Sequence, residues 1–263
     1  ILGVLLLWFA TPALVRSLEG WLRSAGEDLG RPLYLDHNVV GTPSLALNAM
    51  VMELSRMDSL ARNMLQDLVS SEHTVSTQLH RDKAVVDRLG QAVREFSVTM
   101  QRAQLPADIG DHLPLALRTS RYYEEVAHMA VNMATLQEGM AYIEESRLSD
   151  SMSHFRSECV SLVAELTPLE EPYSPQQVAQ DMAELETQYA QLKAQLLQAG
   201  AAGQLQLRSM VAQLDLYSDL RRAMEQAVKG ADCLHQLSEL SSRYQKIGAQ
   251  PEESEVAAGE GEG

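Results

Sequence analysis

Cysteine is scarce: only Cys159 and Cys233 occur in 263 residues. They stand far apart and form no Cys-x-x-Cys pair, which excludes a disulfide framework and the closely spaced thiolates of zinc and redox sites. A reducing compartment fits that usage. Aromatic residues are few as well, 5% of the chain with three Phe and two Trp. Leu, Ala, Met, Gln and Glu dominate instead. Apart from Ala, these are straight-chain or γ-branched side chains that lose little entropy in a helix, so the composition predicts an all-α fold with almost no strand.

Positive charge is also short. There are 21 Lys and Arg against 36 Asp and Glu, a formal charge of −15, and the basic residues are scattered rather than gathered into a stripe. Such a chain repels a phosphate backbone, so nucleic acid is excluded as a partner. Five of the glutamates fall in Ala249 to Gly263, which has no basic residue; that composition predicts a disordered acidic tail over 249–263. No Gly-x-Ser-x-Gly elbow, Walker loop or dinucleotide fingerprint is present, and neither Cys sits in a catalytic context, so nothing supports nucleophilic or nucleotide chemistry. The expectation is a protein that is not an enzyme.

Long hydrophobic runs are missing except at the start, where Ile1 to Val15 carries no charge. Fifteen helical residues span only about 22 Å, against a hydrocarbon core of about 30 Å. The segment therefore reads as the latter half of a spanning helix that begins upstream. Arg16, Arg23 and Arg31 follow, with Trp21 at interfacial distance. Under the positive-inside rule they place the residues after about 16 in the cytoplasm, under the inner (plasma) membrane. Residues 1–23 are thus the end of a transmembrane helix with its basic flank, and 24–43 a linker.

From Thr42-Pro43-Ser44 the chain reads helix after helix. Thr42 is the expected N-cap, with Pro43 at the first helical position. Apolar residues then recur every three or four positions in three long series: Leu45 to Leu68, Val75 to Met100, and Leu113 to Ile143. These define a first three-helix bundle over 44–147, its third helix running from about Asp108 to Arg147. Ser151 to Leu166 is a shorter helix, Ser174 and Pro175 open a fifth, and Gly200 and Gly203 punctuate before a sixth from Gln204 to about Ile247. Residues 148–248 therefore form a second three-helix bundle. Laying Ser120–Ala134 over Tyr217–Ala231 aligns Ala130 with Ala227, Val131 with Val228 and Ala134 with Ala231.

Glu124 and His128 stand four apart on the third helix, with Glu125 three before the same His. Carboxylate and imidazole at that spacing share one face and can hold a metal ion, although a solvated face with an interfacial His has the same pattern. Glu125-Val-Ala-His128 also fits the Glu-x-x-His motif of di-iron helical bundles, with Asp232-Cys-Leu-His235 as a weaker second copy. A ferritin-like di-metal oxidase using Glu125, His128, Asp232 and His235 is thus one alternative, and a membrane-anchored helical scaffold or signalling module another.

The order of segments, an apolar end, a linker and two three-helix units, resembles the C-terminal region of bacterial sodium/phosphate symporters, which carry a PhoU-like domain. The resemblance rests on Tyr34-Leu-Asp with Thr42-Pro-Ser-Leu-Ala-Leu47, on Val86-Asp-Arg-Leu89, and on Ser120-Arg-Tyr-Tyr-Glu-Glu-Val-Ala-His-Met-Ala-Val-Asn132. It implies a cytoplasmic regulatory domain that modulates inorganic phosphate transport. Its partners would be the membrane and a transport domain upstream in the same chain, with a homodimer also open. The fragment itself would transport nothing. It also implies a metal site in each bundle. Carried over, Glu124 and Asp87 match the first site and His128 replaces an Asp, but Lys83 stands where another Asp belongs and Asp82 is one position out of phase. In the second bundle Arg221 aligns with Glu124. A cation there repels metal and offers no lone pair, so the second site is expected to be lost and the first (Glu124, His128, Asp87) weak or lost, with a divalent or iron-type metal as its only cofactor.

Overall fold

The structure is a computed structural model, which describes residues 29–70, 76–103, 107–138 and 146–248. Among them are six long helices and no strand: α1 (Pro43–Ser70), α2 (Ser76–Arg102), α3 (Leu113–Glu138), α4 (Ser146–Glu165), α5 (Pro175–Ala201) and α6 (Leu207–Gly248). A 3-10 turn, His37–Gly41, precedes α1, and a single helical turn, Ala107–Gly110, precedes α3. The expected membrane segment and acidic tail lie outside the described residues. Among the described residues no helix is long and apolar enough to cross a membrane.

Local sequence sets most of the boundaries. Pro43 and Pro175 take first-turn positions, where a missing N–H costs nothing. The Ser174 side chain accepts a hydrogen bond from the Gln177 N–H at 3.3 Å, and the Thr42 carbonyl accepts the opening bond of α1 from Ala46 at 3.0 Å. At the end of α5, Gly203 adopts φ 72°. Its N–H reaches the Gly200 carbonyl while Gln204 N–H reaches Ala199. This is a Schellman closure, and the left-handed position is one that glycine fills without strain.

Two boundaries differ from the periodic reading. The third helix was expected from about Asp108, but the chain breaks between Gly110 and Leu113, because Pro114 lacks the N–H that would continue the ladder and its ring clashes with the Gly110 carbonyl. The fourth helix begins at Ser146 rather than Ser151, so Ser146 and Arg147 belong to α4 and not to the end of the third helix.

The helices α1, α3 and α6 pack on one another in the centre. α2 lies against α1 and α3, α5 lies against α6 and α4, and α4 also reaches α1. One apolar core runs through them all, from Leu47, Met50, Leu54 and Met57 on α1 through Val126 and Met133 on α3 to Met224, Leu234 and Leu237 on α6. Two apolar residues of the expected stripes escape it: Leu45 is 48% exposed and Leu207 72%.

The α3–α6 crossing depends on a glycine. A Cβ on Gly230 would stand 2.7 Å from the fully buried Tyr123 ring. A packed aromatic ring cannot step aside, so Gly230→Ala is expected to lower stability by about 1–2 kcal/mol, even though alanine favours a helix by about 1 kcal/mol over glycine. Chemical denaturation with fluorescence or far-UV detection checks this.

The linker is strapped down from residue 29 onward. Glu53 on α1 is wholly buried, and its Oε2 accepts hydrogen bonds from the backbone N–H groups of Leu33 (2.9 Å) and Tyr34 (3.0 Å). Its Oε1 pairs with Arg56, which donates to the carbonyls of Leu29 (2.8 Å) and Arg31 (3.2 Å). The His37 ring lies 6.5 Å from that of Phe96 on α2, and Val40 is buried. Residues 29–41 therefore run as an ordered strap across α1 and α2.

Candidate functional site

Lys83, Asp87, Arg121, Glu124, Glu125 and His128 line one open cleft of about 320 Å³ between α2 and α3. The helical period is what assembles it. Lys83 and Asp87 are one turn apart on α2, and Arg121, Glu124, Glu125 and His128 fall within two turns of α3. Gly90 sits one turn beyond Asp87, where a Cβ would come within 1.9 Å of Glu124 Oε1, so the absence of a side chain there admits the carboxylate.

Each acid in the cleft is already paired with a base. Lys83 Nζ donates to Asp87 Oδ2 at 2.6 Å. Arg94 Nη1, two turns after Asp87 on α2, donates to Glu124 Oε1 at 2.6 Å, with Arg121 4.0 Å from the other oxygen. Arg121 Nη2 donates to Glu125 Oε1 at 2.5 Å. His128 is exposed, and its Nε2 lies 3.2 Å from the Asn132 amide nitrogen. The side chains present do not fit a metal ion: three cations occupy the carboxylate oxygens. Among the described residues no group of three or more His, Cys, Asp and Glu stands close enough to hold one. Asp82, out of phase in the sequence, accepts from Gln78 instead.

Asp232 and His235 do not join this cleft. Asp232 accepts from Gln236, whereas His235 Nδ1 lies 3.0 Å from the Pro168 carbonyl and its ring packs 5.1 Å from that of Tyr173. The structure thus separates the two Glu/Asp-x-x-His segments that a di-metal oxidase would need together.

In the second half the aligned position behaves as a mirror in charge. Arg221 on α6 donates to Glu186 on α5 at 3.2 Å and to Glu225 at 3.3 Å, over the Tyr189 ring at 5.7 Å. Glu225 also accepts from Lys229 at 2.6 Å, and the hydrogen bonds and charges of these two bases hold its carboxyl below the usual range. Arg94–Glu124 ties α2 to α3 and Glu186–Arg221 ties α5 to α6, so the outer helix carries the base in one half and the acid in the other.

Arg94, which borders the cleft through its pairing with Glu124, is the residue that sequence reasoning missed. Its signal was present: it stands seven residues, two turns, after Asp87. The buried acids Glu53 and Asp58 were missed too, because their spacing from Arg56 and Arg62 is that of any solvated helix pair.

Among the described residues, fold and site define an all-α arrangement of six long helices with a charge-paired cleft between α2 and α3. Comparison with family models, with curated proteins and with solved structures finds no match.

Proposed function

We propose that this chain is the cytoplasmic, PhoU-like regulatory region of a sodium-coupled phosphate symporter, built as two three-helix units behind the end of a membrane helix. In this reading it modulates phosphate transport by a transport domain upstream in the same polypeptide and carries out no transport or catalysis itself. The observation that supports it best is the placement of the motif residues. Asp87 from Val86-Asp-Arg-Leu89 and Glu124 and His128 from the Ser120–Asn132 segment line one cleft between adjacent helices. The strap formed by residues 29–41 adds to it, since it fixes the chain from residue 29 onward on α1.

Reading the coding sequence upstream in frame tests the proposal. Paired hydrophobic repeats interrupted by Gln- and Ser-rich stretches are the expected result, and a short secretory signal there would overturn it.

Regulation in this reading does not pass through a bound metal, because Lys83, Arg94 and Arg121 occupy the carboxylates. Mn²⁺, Zn²⁺ or Fe²⁺ at millimolar concentration is expected to move the melting temperature of the chain by no more than about 1 °C, since only a ligand selective for the folded state stabilises it. The Lys83→Ala/Arg94→Ala double variant, which strips Asp87 and Glu124 of their nearest bases and leaves Arg121 on Glu125, is expected to respond by several times as much. Near-stoichiometric iron that is lost in His128→Ala would instead support the di-metal reading.

A further inference from the structure

At the meeting point of the two helical triplets lies a buried polar group that neither the cleft nor the strap uses. Asp58, on α1, is 2% exposed. Its Oδ2 accepts from Arg62 Nε at 2.9 Å, its Oδ1 has no well-formed hydrogen bond although the Tyr123 hydroxyl of α3 stands beside the carboxylate, and the buried hydroxyl of Tyr173 in the α4–α5 connector has no partner. Incompletely satisfied oxygens are costly in a low-dielectric interior, most of all on a carboxylate.

The surrounding charges come from every side of the junction. Arg62 acts from α1, Tyr123 from α3, Tyr173 from the connector, and Asp232 of α6 acts on Tyr173. The His235 ring packs on Tyr173 while its Nδ1 reaches Pro168, so α6 grips the connector that carries the tyrosine. On the far side Gly230 of α6 touches the Tyr123 ring.

We propose that Asp58, Tyr123 and Tyr173 form a proton-operated joint between the first and second helical triplets. A proton taken from solvent binds Asp58 Oδ1 and the side chain passes from −1 to neutral; no other bond changes. The Oδ1 acceptor becomes a donor to a tyrosine oxygen and the buried carboxylate becomes neutral, which tightens the joint, while the Arg62 guanidinium keeps its contact with solvent. Burial pushes the Asp58 carboxyl up to about 6, against an ordinary value of 3.8, with Arg62 and Tyr123 opposing the shift only in part. The folded state therefore holds a proton between about pH 4 and 6 that the opened state releases. The joint is tight below that window and loosens as pH rises through it. The property belongs to the helical body and stands whether or not the transport reading does.

Hydrogen exchange of the full chain at pH 5.5 and 7.5, corrected for intrinsic rates, tests it. Amides of α3 and of the 166–174 connector are expected to be about fourfold better protected at pH 5.5. Asp58→Asn, which cannot ionise, is expected to lose that difference. An equal pH response in Asp58→Asn, or none in the wild type, would overturn the joint, and so would a response that persists in Asp58→Asn but vanishes in His235→Gln. Should Asp58→Asn fail to fold, the carbon-13 titration of the Asp58 carboxyl in the wild-type chain decides: a midpoint near 4 overturns the proposal and one near 6 upholds it.

Discussion

Replacing Glu53 by alanine is expected to lower the stability of the folded chain by about 3–5 kcal/mol, the cost typical of breaking a buried ion pair from one side. Glu53 is wholly buried, whereas Arg56 keeps some contact with water. Truncating the acid leaves the Leu33 and Tyr34 N–H groups without their acceptor and frees Arg56 from the geometry in which it holds the Leu29 and Arg31 carbonyls. Residues 29–41 should then peel away from α1 and α2 before the helices themselves unfold. Limited proteolysis checks the order of events, with early cleavage near Leu33 in the variant and none in the parent. Glu53→Gln should fall between them, because an amide oxygen can still accept from one backbone N–H but no longer neutralises Arg56. A loss below about 1 kcal/mol for Glu53→Ala would mean that the strap is held by Val40 and the His37–Phe96 contact alone.

Phe155→Ala is expected to cost a similar amount, about 3–5 kcal/mol. The chain has only three Phe and places this one, 1% exposed, where α4, α5 and α6 converge. Its ring meets Tyr217 of α6 edge-on at 5.7 Å and Tyr189 of α5 at 6.2 Å. Edge-to-face pairs add about 0.5–1.5 kcal/mol beyond the area they bury. Burial pushes the Tyr217 hydroxyl up to about 12. Thermal denaturation followed by near-UV circular dichroism should show the loss in tyrosine signal. Phe155→Leu, which keeps most of the volume, should recover more than half of it. These two substitutions probe different halves: Glu53 anchors the strap to the first triplet, and Phe155 holds the second together.

Much of the helical plan was legible because it rests on short-range rules. The three-to-four spacing of Leu, Met and Val located α1, α2 and α6 to within a few residues, and Ser174-Pro175 fixed the start of α5. The misplacements have equally local causes. Pro114 breaks the third helix two residues after the Asp111-His112 turn, and a periodicity count that weighs only apolar positions does not register it. Leu45 and Leu207 share the spacing of the apolar stripes, yet each lies in the first turn of its helix with no neighbour packed over it.

The candidate cleft divides in the same way. That Asp87 and Lys83 share a face of α2, and Glu124, Glu125 and His128 a face of α3, follows from 3.6 residues per turn and needs no coordinates. That the two faces meet, and that Arg94 rather than a metal ion sits on Glu124, depends on how α2 packs against α3. Spacing could not tell Glu53 and Asp58 from solvated acids, since an i, i+3 or i, i+4 ion pair looks the same on either side of a helix.

By itself, then, the amino-acid sequence determined that this protein is helical and acidic, has two cysteines far apart and carries no Gly-x-Ser-x-Gly, Walker or dinucleotide motif, because those properties are set by composition and by residues within one or two turns. Tertiary structure alone decided which charges are buried, which acid meets which base, and that Asp58 faces two tyrosines from other segments. Those outcomes depend on desolvation and on partners distant in sequence, and neither exists until the helices have packed.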